Sequence, residues 1–151
     1  MNIIQDDLTG PEIKDLLEIH FNGMRSNSPP GGCHFLDIEG LKALNVTFWS
    51  VWDNQCLAGC GALKEHDAHF GEIKSMRTHA KYLRKGVASR MLEHIILVAK
   101  NRGYDRLSLE TGSGDAFIPA ARLYESRGFV ACPPFASYSA NAFSRFYSLE
   151  L

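Results

Sequence analysis

"YLRKGVASRM", residues 82–91, sets two basic residues and a glycine immediately ahead of an amphipathic run. Val87/Ala88, Met91/Leu92, Ile95/Ile96 and Ala99 recur at helical spacing, and Gly103 closes the run. The spacing predicts a helix over about 86–102. Its first backbone N–H groups have no internal partners, and its dipole favours an anion at that end. Gly86 permits close backbone approach, small Ala88 does not obstruct it, and Arg84 and Lys85 add positive charge. That is a phosphate-binding arrangement. Local chemistry equally allows a plain packing junction flanked by solvated cations.

Working outward, "MNIIQDDL" reads as a short strand. "TGPEIKDLLEIHFNGMRS" reads as a helix capped by Thr9, with Pro11 in its first turn and Glu12 at a capping-box offset. "NSPPGG" is a loop, and "DIEGLKAL" a short helix capped by Asp37. "VTFWSVWD" and "CLAGCGALKEH", joined at "NQ", form a hairpin. "GEIKSMRTH" is a strand before the long helix and "DRLSLETG" a strand after it. "AFIPAARLYESRG" is a last helix, and "FVAC" and "FSRFYSLEL" are the last strands. The order β-α-α-β-β-β-α-β-α-β-β predicts an α/β fold, a mixed central sheet flanked by helices.

The 151 residues fit one domain, 1–151, able to bury about 70% of the unfolded surface. A net charge of −1 argues against general nucleic-acid binding. No run approaches the about 18 apolar residues of a membrane span, and the acidic N-terminus does not resemble a signal peptide. Cys33, Cys56, Cys60 and Cys132 are unevenly spaced and read as reduced thiols, which points to the cytoplasm. No metal site is expected, because Cys56 and Cys60 on a strand stand about 13 Å apart. The triphosphate loop GxxxxGK[ST] and the dinucleotide GxGxxG are both missing.

Taken together, "YLRKGVASRML", the strand "RLSLETG" and "AARLYESRGF" resemble the GNAT superfamily of acetyl-coenzyme A-dependent N-acyltransferases, and "MRSNSPP" between two helices, with "LD" starting the second, resembles a bacterial branch of it. Gly86 and Ala88 match the last two places of its [Q/R]-x-x-G-x-[G/A] signature, while Leu83 stands in the first. Ala120, Leu123, Tyr124, Glu125, Gly128 and Phe129 match its second signature, and Phe117 stands where an asparagine is common. The likeness covers roughly residues 46–151.

The resemblance implies acetyl-coenzyme A as co-substrate. Its pyrophosphate would lie on the backbone of Arg84, Lys85, Gly86, Val87, Ala88 and Ser89. Met76 and Thr78 would meet the pantetheine arm or acetyl group. Tyr124 would be the general acid near the sulfur, and Glu72, 14 residues before Gly86, the general base of the histone-type branch. His69, His79, Glu65 and Glu110 compete for the base role, and a dedicated base is unnecessary if the amine arrives neutral. The acceptor site is expected among the "MRSNSPPGGCHF" loop, the hairpin and the last strands. Arg25 and His34 are candidates there, with Trp49, Phe135, Tyr138 and Phe143 as lining, and Arg25 as partner for an acceptor carboxylate.

The expected activity is acetyl transfer to the amine of a small molecule or amino-acid-like acceptor. A protein lysine or N-terminal acetyltransferase and a non-catalytic coenzyme A sensor are the alternatives. Expected partners are the small amine acceptor and, as an open alternative, a second copy of the chain, but neither nucleic acid nor membrane.

Overall fold

Three residue pairs hold the two central strands together, and the rest of the fold is arranged around that short seam. The computed structural model describes residues 1–32 and 34–151; Cys33, read above as a reduced thiol, lies outside them. The elements follow the expected order. They are β1 (Asn2–Gln5), α1 (Pro11–Ser26), α2 (Ile38–Leu41), β2 (Val46–Asp53), β3 (Cys56–Asp67), β4 (Phe70–Thr78), α3 (Val87–Asn101), β5 (Arg106–Gly112), α4 (Ile118–Ser126), β6 (Val130–Ala131) and β7 (Ser144–Glu150). Short 3-10 turns at Ala80–Tyr82 and Asp115–Phe117 lead into α3 and α4.

Caps explain most boundaries. Asp37 accepts from Gly40 N–H and starts α2, as expected. Thr9 does not cap α1. Gly10 occupies the cap position with no side chain to offer, while Thr9 Oγ1 donates to Asp7 Oδ1 at 2.6 Å. Pro11 supplies the first turn, where its missing N–H costs nothing. At α3 the cap is Gly86 itself, in the left-handed region (φ 80°) that glycine enters without steric cost.

The sheet runs β1-β2-β3-β4-β5-β7-β6, antiparallel except between β4 and β5. Helices cover both faces. On one, Ile13, Leu16, Leu17 and Phe21 of α1 pack with Leu41, Phe48, Cys60 and Ala62. On the other, Val87, Met91, Leu92, Ile95 and Ala99 of α3 pack with Tyr124, Phe129, Val51, Leu63 and Leu107.

Parallel pairing of β4 with β5 covers only Phe70–Glu72 against Arg106–Ser108. Both strands continue well past that point, so they splay and open a cleft toward the edge where α3 starts. A bulge in β4 changes which side chains face it. Lys74 pairs with Ala62 but Arg77 with Cys60, so three steps on β4 match two on β3, and Ser75 is in the left-handed region (φ 55°). Glu72, Lys74 and Arg77 therefore share the α1 face. Met76 is on the α3 face, where a Cβ on Gly61 would come within 2.9 Å of its sulfur.

Leu92 is fully buried and Leu44 fully exposed. Leu92→Ala should cost about 2–5 kcal/mol in urea unfolding, whereas Leu44→Ala should stay within about 0.5 kcal/mol of the parent.

Candidate active site

The cleft between the splayed strands has a volume of about 220 Å³ and passes from the α1 face to the α4 face. Its walls include Glu72, Lys74, Met76 and Arg77 of β4, Glu110 of β5, His20 of α1, His34, and Phe117, Ala120 and Tyr124 beside or on α4. A larger surface hollow of about 540 Å³ lies between α1, the β2–β3 turn and residues 79–85. It contains Lys85 and His79 but neither Glu72 nor Tyr124, so the expected acid and base meet in the smaller cleft.

At the start of α3, the first intrahelical bond runs from Arg90 N–H to Gly86 O. The N–H groups before it have no intrahelical acceptor, and no side chain caps them. A Cβ built on Gly86 would meet nothing within 4 Å, so the approach to those donors is open. Arg84 and Lys85 are exposed beside it, and Arg84 too has a positive φ (61°). Uncapped donors, two cations and an unobstructed backbone suit an anionic phosphate group. Leu83, in the departed signature place, is solvent-exposed.

Tyr124 is buried at 7% exposure on the cleft wall and packs against the ring of Phe129. Burial alone pushes its phenol well above the ordinary tyrosine range, so it keeps its proton at neutral pH. Phe117 lines the same end of the cleft, edge-on to Phe143 at 5.5 Å. The position where asparagine is common in the family thus supplies an apolar wall.

Glu72, at 1% exposure, is the hub of a network. Its Oε2 accepts from Lys74 Nζ (3.1 Å) and from Tyr138 Oη (2.8 Å), and Lys74 Nζ also donates to Tyr138 Oη (2.9 Å). Its Oε1 is 2.9 Å from His66 Nε2. A carboxylate only accepts, so that nitrogen carries the proton. Burial, with Glu72 beside it, drives the Tyr138 phenol far above its ordinary value.

Glu110, one of the competing bases, lines the cleft and meets His34 Nδ1 at 2.7 Å. By the same donor logic Nδ1 holds a proton, so Nε2 is the lone-pair nitrogen of the neutral ring. The other competitors are committed elsewhere. Glu65 accepts from Tyr104, His69 faces Asp105, and His79 Nδ1 accepts from Lys81 N–H.

Arg25 does not line the cleft. It is exposed, donates to Asn22 Oδ1 (3.2 Å) and sits 5.4 Å over the Phe35 ring. Trp49 is a core residue edge-on to His94. Phe135 and Tyr138 belong to an aromatic cluster with Phe146 behind the Glu72 network. Met76 is on the cleft wall, and Thr78, beyond the bulge, pairs with Gly59.

Sequence reasoning missed Lys74, His66, Arg77 and His20. Glu-x-Lys on a strand is a legible same-face pair. The placement of Arg77 is not legible, because the bulge reverses the alternation. Among the described residues, no group of three or more His, Cys, Asp or Glu side chains is arranged to hold a metal, and no helix is long and apolar enough to cross a membrane. Cys56, Cys60 and Cys132 are free thiols.

Comparison with known proteins bears on the family and the fold. The model of the acetyltransferase (GNAT) family matches residues 13–129. The chain is 53% identical to an uncharacterized N-acetyltransferase of Bacillus subtilis, YsnE, over all of both chains. It is 51% identical to another of Escherichia coli, YedL, over 97% of this chain and 92% of that one. Among solved structures, a GNAT family acetyltransferase from Elizabethkingia anophelis with acetyl-CoA bound superposes with a TM-score of 0.70. That match has 19% identity and covers 99% of this chain and 97% of that one.

Two stability effects follow from the site. Lys74→Met strands the Glu72 carboxylate in the interior and should cost about 3–5 kcal/mol in urea unfolding, part of it regained in Glu72→Gln/Lys74→Met. Burial, with Arg77 adding to it, lowers the His20 imidazole from 6.5 to about 4. The unfolded chain then binds the proton first as pH falls. The His20 contribution to stability should be intact above pH 6.5 and lost between 6.5 and 4. Its slope should reach at most about 1.4 kcal/mol per pH unit and be missing from His20→Gln.

Proposed function

The chain belongs to the acetyltransferase (GNAT) family, and from that premise we propose that it moves an acetyl group from acetyl-coenzyme A to the amine of a small, amino-acid-like acceptor. The observation that carries this reading is the β4–β5 splay together with the uncapped start of α3, which follows β4 in the chain. The backbone of Arg84 through Ser89 receives the pyrophosphate, with the Arg84 and Lys85 side chains adding charge. Met76 and Tyr124 line the cleft, and Thr78, two residues beyond Met76 on β4, continues toward the start of α3.

Acetyl-coenzyme A supplies an activated thioester carbonyl. The amine nitrogen bonds to that carbon, the carbon–sulfur bond breaks, and the sulfur leaves with the electron pair. Tyr124, held protonated by burial, donates its proton to the departing sulfur and regains one from solvent. The amine must lose a proton. The resemblance assigns that to Glu72, but both Glu72 oxygens are already engaged by Lys74, Tyr138 and His66. The geometry favours His34, whose Nε2 lone pair is left free by the Glu110 bond at Nδ1. Glu72 then acts as the anchor that fixes Lys74 and Tyr138.

The modest volume of the cleft favours a small acceptor over a peptide segment. A protonated phenol poised in the cleft favours turnover over passive sensing of the coenzyme.

Calorimetric titration of acetyl-coenzyme A should give micromolar binding that is lost in Gly86→Asp, which puts a carboxylate in the anion site. Tyr124→Phe should keep that binding and lower kcat by about 100-fold or more. No binding to the parent protein at millimolar ligand would sink the proposal.

A further inference from the structure

Charge in the cleft does not cancel locally. Four of its lining residues carry full charges: Glu72, Lys74, Arg77 and Glu110. Glu72 and Lys74 neutralise each other as a buried pair. Glu110 is on β5, against His34. Arg77 is on β4 under α1, and none of the ion pairs among the described residues includes it. The cleft therefore has one uncompensated cation on the α1 side and one carboxylate on the β5 side.

The Arg77 position is built rather than incidental. The bulge at Ser75 turns this side chain to the α1 face, together with Lys74. Gly23 of α1 leaves it room, since a Cβ there would lie 3.2 Å from the nearer guanidinium nitrogen. Next to it His20 is 6% exposed, and its Nδ1 is fully buried with no hydrogen-bond partner among the described residues. A buried polar nitrogen without a partner is costly unless a ligand completes it. A guanidinium without an acid and an imidazole without a partner thus share one wall of a cleft that must admit a substrate.

We propose that Arg77 and His20 form a carboxylate subsite, and that the acceptor is an amino acid with a free carboxylate rather than a simple amine or polyamine. This rests on the acetyl-transfer reading above and deepens it. The planar fork of Arg77 suits the two oxygens of a carboxylate. Glu110 attracts the ammonium end, so the amine is delivered on the His34 side. A phosphate dianion fits less well, because the remaining full charges of the cleft offer it no second unpaired cation. Arg77 is thus a specificity-determining residue, in the role that the sequence suggested for Arg25.

The test compares a panel of α-, β- and aromatic amino acids, each beside its own amide. In the acetyl-transfer assay, kcat/KM for the preferred amino acid should exceed that of its amide by about 100-fold or more, since the amide leaves the guanidinium without a counter-charge. In Arg77→Met that preference should collapse through KM rather than kcat, and Arg77→Lys should regain part of it. Acetyl-coenzyme A affinity, measured by calorimetry, serves as the folding control. Calorimetry of the same amino acids and amides, with and without coenzyme A, reads the subsite independently of turnover. Binding of amino acids over amides, abolished in Arg77→Met, supports the subsite even if no acetyl is transferred, in which case only the catalytic reading falls. Equal binding of acids and amides, or an equal loss of both in Arg77→Met, overturns the subsite whatever the turnover.

Discussion

Parallel pairing between β4 and β5 stops after three residues, and the cleft exists because it stops there. Continued pairing would close the sheet and leave no passage between its faces. Parting the strands exposes ladder groups on two inner edges, which water or a ligand must then satisfy. The protein tolerates this because the remaining sheet is long and covered on both faces, with fully buried Leu17, Leu63, Leu92 and Leu107 spread over the two cores. Tight packing at a distance sustains the local opening.

At the vertex of the opening stands Glu72, the last β4 residue that still pairs with β5. A buried ion pair there adds little net stability over an apolar filling, since desolvation offsets its attraction. Its effect is directional. Lys74, Tyr138 and His66 each spend a donor on one carboxylate, and so are fixed relative to each other and to the strand. Tyr138 comes from the segment before β7, so the network also ties the C-terminal part of the chain to the floor of the cleft. The aromatic cluster of Phe135, Tyr138 and Phe146 closes it from behind.

Local patterns were enough to read the architecture. The stripe from Val87 to Ala99, the β2–β3 hairpin and the Asp37 cap are short-range signals, and each appears in place. The glycine-led, uncapped start of α3 was legible for the same reason, being one contiguous stretch. Thr9 failed as a cap by a single residue, within the usual reach of such signals. The site was less legible wherever it depends on non-local geometry. Glu72 was singled out only through the resemblance, and only the fold brings Tyr138 and His66 to it. Arg25 and Arg77 are both plain arginines in sequence. The bulge at Ser75, which no local propensity announces, brings Arg77 to the cleft while Arg25 stays outside.

The two cores have no residue in common; one sits under α1 and α2, the other under α3 and α4. The side that would hold the coenzyme and the side that would hold the acceptor therefore rest on separate foundations, with the sheet as a partition. Changes more than about 7–10 Å apart with no shared partners act almost independently on stability. A lineage could remodel the α1 wall, and with it the choice of acceptor, while leaving the coenzyme wall undisturbed. Such a sheet lets one half of a two-substrate enzyme drift while the other is held fixed.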